Sequence, residues 1–409
     1  MSAPAHTAMA RESGGAHALG VDRGSWALGA LLGLLAIGNL IQGISPVPVV
    51  AVAGAGLGLM VVFRTPRGVM QGGMLLLAAL FILLLGYFQP GLNPASVDKR
   101  RLLPLAYFLP FLLGALIAAR WDLRRVNRST YAFAGTLIVA AVLMGVLVFV
   151  HPDPVALASG RRTPAGVNAI SAGRVLGLGA LASLILAMFV RRLIFRILLL
   201  ILAASSTVVL LLTASRGPLV GLVAAVLVVL LWGRSVPARV RVGVVLAAAG
   251  VGAYLMSKGV ELNDRLTEAD DTGRGALWAA ALEQFERLPA GIGWGNLYNY
   301  LPAGAIITGQ DYDQYPHNLL LEVGSEAGPF AFLLLAFVLA GAARFALRAR
   351  TGPELLVLGI FTFALTGAMT SSNMLGNVLL WVSVGILAGS PLPENEIPPS
   401  GSPRSEHSP

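Results

Sequence analysis

The residues able to do chemistry in this sequence are a few isolated charges set among apolar neighbours. Arg216 stands in Leu212-Thr213-Ala214-Ser215-Arg216-Gly217-Pro218 and interrupts an otherwise apolar stretch from Ile197 to Trp232. A guanidinium at membrane depth normally faces a cavity or a partner, and its planar fork suits phosphate or carboxylate. The plainer alternative is an interfacial arginine snorkelling out of a tight turn. Arg161, Arg162 and Arg174 flank Thr163-Pro164-Ala165-Gly166-Val167-Asn168 and could dock an anion; a phospholipid-facing collar explains Arg161 and Arg162 equally well. Arg274 falls in the first turn of an expected helix, where a cation opposes the helix dipole, with Trp278 one turn on along the same face. A substrate anion shared with the helix N-terminus would compensate, and so would pairing with Asp270 or Asp271. His317 follows Tyr315-Pro316 and opens the helix Asn318-Leu319-Leu320-Leu321-Glu322. An imidazole at a membrane–water boundary is placed to take a proton from an attacking hydroxyl, although a lone histidine is more often structural. Gly291-Ile292-Gly293-Trp294-Gly295-Asn296 lacks the strand-to-helix context of a nucleotide fingerprint and reads as a tight loop near a ligand. No cofactor is implied, and no residues cluster at metal-ligand spacing.

The elements that must hold these residues are membrane helices. Of 409 residues, 56% are hydrophobic and 12% charged, and the mean hydropathy is +0.77, far from a water-soluble domain. A net charge of +9 would suggest nucleic acid in a soluble protein; here the Lys and Arg cluster between apolar runs, as topology signals do. Cysteine is absent, which excludes disulfides, thiolate metal sites and a cysteine nucleophile.

A spanning helix needs about 20 mostly apolar residues, and runs of that order recur about twelve times. They are Trp26–Gly43, Pro46–Phe63, Val69–Phe88, Leu102–Ala119, Thr130–Val150, Val175–Val190, Ile197–Thr213, Pro218–Trp232, Val242–Met256, Gly328–Ala343, Leu355–Met369 and Asn373–Gly389. The expected fold is therefore all-α, a polytopic transmembrane helical bundle over residues 26–389. The polar segment 1–25 shows no convincing cleavage site and reads as a cytoplasmic tail before an uncleaved first span. The Pro-, Ser- and Glu-rich segment 390–409 reads as a second, disordered tail. Most of the 29 Lys and Arg fall on one side of this arrangement, which is assigned to the cytoplasm. The other side carries the longer connections 152–174 and 257–315. The second of these is acidic, and Leu277, Trp278, Leu282 and Phe285 recur in it at helical spacing as far as Leu288-Pro289. It is expected to form an amphipathic helix on the outer surface, opened by Thr272.

In order and spacing, Leu212-Thr213-Ala214-Ser215-Arg216-Gly217, then Arg274 with Trp278, then Gly291-Ile292-Gly293-Trp294-Gly295, then Tyr315-Pro316-His317-Asn318-Leu319-Leu320-Leu321-Glu322 with Gly328 resemble the signature of the O-antigen ligase family. The resemblance extends through the twelve-span plan to essentially the whole chain. It implies a GT-C-type, metal-independent, inverting glycosyltransferase of the bacterial cytoplasmic (inner) membrane, with both termini cytoplasmic and the active site external. The implied donor is an undecaprenyl-pyrophosphate-linked glycan and the implied acceptor a hydroxyl of a glycolipid or polysaccharide; nucleic acid is not a partner. By the same resemblance Arg216 and Arg274 hold the donor's pyrophosphate and His317 activates or orients the acceptor. Arg174, with Arg161 or Arg162, corresponds less closely to an external basic cluster, and Trp278, Tyr315 and Asn318 line the substrate site. A polymerase of the same family shares this donor chemistry. A lipid-linked oligosaccharide transporter would need polar residues along several spans, which are mostly apolar here, and a non-catalytic scaffold would leave the same residues free to change.

Overall fold

The computed structural model describes residues 29–30, 32–34, 66–87, 112–117, 127–233, 236, 238–239, 241–244, 274–301, 315–349, 351–371 and 378–388. Both tails, the span 46–63, most of the first, fourth and ninth expected spans, Thr272 and the acidic residues 261–271 lie outside these.

The described chain is helical, with one isolated bridge between Pro152 and Pro164. Its helices are α1 (Pro66–Tyr87), α2 (Asn127–Val150), the short α3 (Pro154–Ala158), α4 (Ala169–Phe189), α5 (Leu193–Leu212), α6 (Arg216–Trp232), α7 (Arg274–Arg287), α8 (Leu319–Ala346), α9 (Gly352–Thr370) and α10 (Val378–Ala388). Among the described residues five are long and apolar enough to cross a membrane: Ser129–Val150, Ala169–Phe189, Leu193–Leu212, Leu319–Ala346 and Gly352–Thr370. Gly72–Tyr87, Arg216–Trp232 and Val378–Ala388 are shorter apolar helices. Each of these eight overlaps an expected span. The chain is an integral membrane protein.

Close helix packing fixes the bundle. The Phe363 ring of α9 lies where a Cβ on Gly177 of α4 or Gly221 of α6 would intrude, so two glycines admit one aromatic between three helices. At one end, a Gly352 Cβ would meet the Phe189 ring, Arg196 donates to Val190 O, and Arg241 donates to Val236 O and Gly233 O, capping the end of α6. The basic connections with Arg191, Arg192, Arg344 and Arg348 also lie at this end. At the opposite end the segment 152–168 folds back on α2 and α5: Asp153 caps α3, Ala165 N–H donates to His151 O and Arg162 N–H to Leu212 O.

α8 departs from the expected span Gly328–Ala343 because it has a second part. It begins at Leu319, capped by Asn318 Oδ1, and breaks at Gly328, whose φ of 84° and ψ of 175° are open only to glycine. Residues 319–328 are mostly buried in protein. Beyond Pro329 the helix turns lipid-like on one side, with Phe330 74% and Phe337 76% exposed. Pro329 lacks the N–H that would reach Ser325 O, and the break frees Glu326 O. Ile292 N–H (3.0 Å) and Gly293 N–H (2.8 Å) bond to these carbonyls instead. The glycine loop is thus the replacement for a missing helical turn.

Candidate active site

The site forms where the starts of α4, α6, α7 and α8 meet the end of α9. α5 passes into α6 through Thr213-Ala214-Ser215, with Ala214 at a φ of 51°. Arg216 is then the first residue of α6, where its charge opposes the helix dipole and a nearby anion would reverse that sign. Ser215 occupies the N-cap without making a side-chain cap bond, and its buried Oγ has no partner. A Cβ on Gly217 would come within 2.7 Å of Ser371 Oγ, so the start of α6 abuts the end of α9.

Two further arginines converge on that same end. Arg174, from the second turn of α4, donates through Nη2 to Ser371 O (3.0 Å) and Ser371 Oγ (3.1 Å), while its Nε is buried without a partner. Arg274, the first residue of α7, donates through Nη1 to Thr370 O at 2.8 Å. The terminal carbonyls of a helix are orphan acceptors, and cations there satisfy both the bonds and the dipole. The end of α9 therefore gathers arginines from α4 and α7 beside the start of α6.

His317 completes the cluster. Its φ of 52° makes it, with Ala214, one of two non-glycine residues of positive φ among those described, and both lie at this site. Such backbone persists only when its surroundings over-determine it. Here Trp278 Nε1 donates to Pro316 O at 2.6 Å, Asn318 Oδ1 accepts from Leu320 N–H and Leu321 N–H, and the Tyr315 ring lies 4.3 Å from the imidazole, tilted by 50°. Nδ1 of His317 is buried with no partner. Burial, then the charges of Arg274 and Arg174, push its pKa down to about 4. The imidazole is thus neutral at ordinary pH and able to accept a proton.

Not every expected residue joins this cluster. Arg162 is exposed and its guanidinium leans over the Phe149 ring at 5.8 Å, which suits the lipid-facing collar. Asn318 spends its carbonyl oxygen on the helix cap, and Trp278 spends its N–H on Pro316, so both hold the loop of His317 in place. α7 has one buried and one exposed face. Leu277, Ala280 and Ala281 are buried as one face and Phe285 packs on Gly324 and Phe332, whereas Leu282 is 46% exposed. Thr370, Ser371 and Ser215 escaped the sequence reading; the hydroxyl run Thr370-Ser371-Ser372 between two apolar spans was the available signal.

Fold and site together define an all-helical integral membrane protein with an arginine-lined, histidine-bearing polar site at one end of its bundle. Residues 199–336, from α5 into α8, match the O-antigen ligase family. The chain is also 28% identical over 295 residues to an O-antigen ligase of Pseudomonas aeruginosa, covering 71% of this chain and 69% of that protein. The matched segment contains Arg216, Arg274, Trp278, Tyr315, His317 and Asn318 and leaves Arg161, Arg162 and Arg174 before it.

Proposed function

We propose that this chain transfers a glycan from an undecaprenyl-pyrophosphate-linked donor to an acceptor hydroxyl on the outer face of the cytoplasmic membrane, in cell-surface polysaccharide assembly. The observation that carries the reading is the convergence of Arg174, Arg274 and the Arg216 end of α6 on Thr370 and Ser371, beside a neutral His317. The family match and the Pseudomonas aeruginosa relative support the same class of reaction.

In this reaction the bond from the anomeric carbon to the pyrophosphate oxygen breaks as the acceptor oxygen attacks from the opposite face, so the anomeric configuration inverts. Negative charge develops on the departing pyrophosphate. Arg216 and Arg274, with Arg174 behind them, stabilise that charge where water is partly excluded, and no metal ion is required for this. His317 takes the acceptor hydroxyl's proton. The bundle over residues 26–389 forms one GT-C-type unit of about twelve spans, with both tails in the cytoplasm. The site lies at the end opposite Arg191, Arg192, Arg344 and Arg348, which supports an external active site.

The test is transfer from a synthetic undecaprenyl-pyrophosphate donor in proteoliposomes containing EDTA, with membrane extract as acceptor. Wild type is expected to transfer, and His317→Ala, Arg216→Ala and Arg274→Ala to lose transfer while remaining folded. Wild-type rates in the His317 and Arg216 variants would overturn the mechanism.

A further inference from the structure

We infer that Glu326 is a positioning residue that sets His317 against Arg274 through the glycine loop; this rests on the transfer reaction proposed above. Glu326 lies on α8, 2% exposed, one turn before the lipid-facing half. A carboxylate in such a place is retained where it is hydrogen-bonded, and its Oε2 accepts from Gly295 N–H at 2.9 Å. Its backbone carbonyl accepts from Gly293 N–H, and Ser325 O accepts from Ile292 N–H. Side chain and main chain of one helical turn thus grip three N–H groups of the loop, those of Ile292, Gly293 and Gly295. The fit is close: a Cβ on Gly291 would lie 2.6 Å from Glu326 O, and one on Gly328 2.8 Å from Pro289 O.

The loop continues α7, so what is gripped is the far end of the helix that bears Arg274. The near end is tied by Trp278 Nε1 to Pro316 O, next to His317, and toward the far end Phe285 lies on Gly324. α7 and residues 319–327 therefore run side by side in the same direction, fastened at both ends. Trp294 extends the fastening to α1, since its buried Nε1 donates to Leu83 O at 2.9 Å and its ring fills the space beside Gly86. These contacts join protein groups to one another and reach Arg274 and His317 only through α7 and the residues beside them. Loss of the Glu326 carboxylate weakens the fastening at the loop end, so α7 pivots about the Trp278–Pro316 tie and Arg274 moves relative to His317, while Arg174 and Arg216, held by α4 and α6, stay where they are.

The experiment compares full-length wild type, Glu326→Ala, Glu326→Gln and Leu335→Ala in proteoliposomes. Leu335, fully buried in the lipid-facing half of α8, is the control for general destabilisation. Steady-state transfer and hydrogen exchange at 291–296 and 315–322 are both read. Glu326→Ala is expected to lower kcat on the order of 10- to 100-fold, as a small misplacement of reacting groups does, with much less change in KM for the donor. Exchange should quicken in both segments but not at 199–232. Glu326→Gln keeps an acceptor for Gly295 N–H and should restore most of kcat and protection. Leu335→Ala should lower the melting temperature and leave kcat per folded molecule unchanged. Wild-type kcat and protection in Glu326→Ala would overturn the inference, as would equal losses in Glu326→Gln or a parallel fall in Leu335→Ala. If wild type transfers nothing, the donor reading fails by itself, and the exchange arm still decides whether Glu326 holds 315–322.

Discussion

His317 combines a left-handed backbone, a buried Nδ1 and two nearby guanidinium groups, and its protonation follows from them. Burial and the Arg274 and Arg174 charges all penalise imidazolium, which holds the pKa at about 4 against an ordinary 6.5. Between these values the unfolded chain binds the proton and the folded one does not, so His317 contributes stability that is complete above pH 6.5 and lost as pH falls toward 4. For catalysis, kcat/KM for transfer should be flat through neutrality and fall as pH drops through about 4. A bound pyrophosphate neutralises part of the arginine charge, so the acid limb of kcat should lie at higher pH than that of kcat/KM. Initial rates across pH 3.5–8, a range bracketing ~4 and ~6.5, check both limbs, and coincident limbs would count against an anion between the arginines. Arg274→Lys should also lose transfer by roughly tenfold or more, because a point charge cannot reproduce the guanidinium's planar bonding; competition by inorganic pyrophosphate separates lost binding from lost turnover.

At the scale of elements, the break in α8 matters most. Gly328→Ala places a Cβ in a backbone region costing about 1–3 kcal/mol for other residues and drives it against Pro289 O at 2.8 Å and Ala290 O at 2.9 Å. The loop must then part from α8. We expect a lower melting temperature and reduced transfer together, whereas Gly145→Ala, in open space on α2, should be neutral or slightly stabilising by up to about 1 kcal/mol. Trp278→Phe keeps an aromatic ring of smaller size and deletes the bond to Pro316 O. That loss should be of order 1 kcal/mol in stability, accompanied by faster exchange at 315–318.

For the whole molecule, the prediction concerns sidedness. The bundle alternates direction from α4 to α5 to α6, so Ala165 and Leu347 lie at opposite ends, and both are exposed. Because the natural chain has no cysteine, single Cys variants report without background. A membrane-impermeant maleimide added to intact cells should label Ala165→Cys at once and Leu347→Cys only after permeabilisation. The reverse pattern would invert the topology and move the site to the cytoplasmic face.

Much of this was legible in the sequence because membrane helices are specified locally. Apolar runs of spanning length dictate helix in lipid whatever they later touch, which is why Thr130–Val150 and Leu355–Met369 nearly coincide with α2 and α9. Arg216, Arg274 and His317 stood out for the same reason, each an ionisable group in apolar or boundary surroundings. The first half of α8 was legible as a helix opening at Asn318 but not as one that runs into the span at Gly328, since Leu319–Gly328 needs protein rather than lipid around Glu322 and Glu326. Nor could the sequence assign Ser371, 197 residues from Arg174, or tell that Asn318 caps and Arg162 turns outward. Composition and periodicity decide which segments are helices and which side they face; only the packing of distant helices decides which polar atoms meet, because hydrogen bonds are satisfied by neighbours in space.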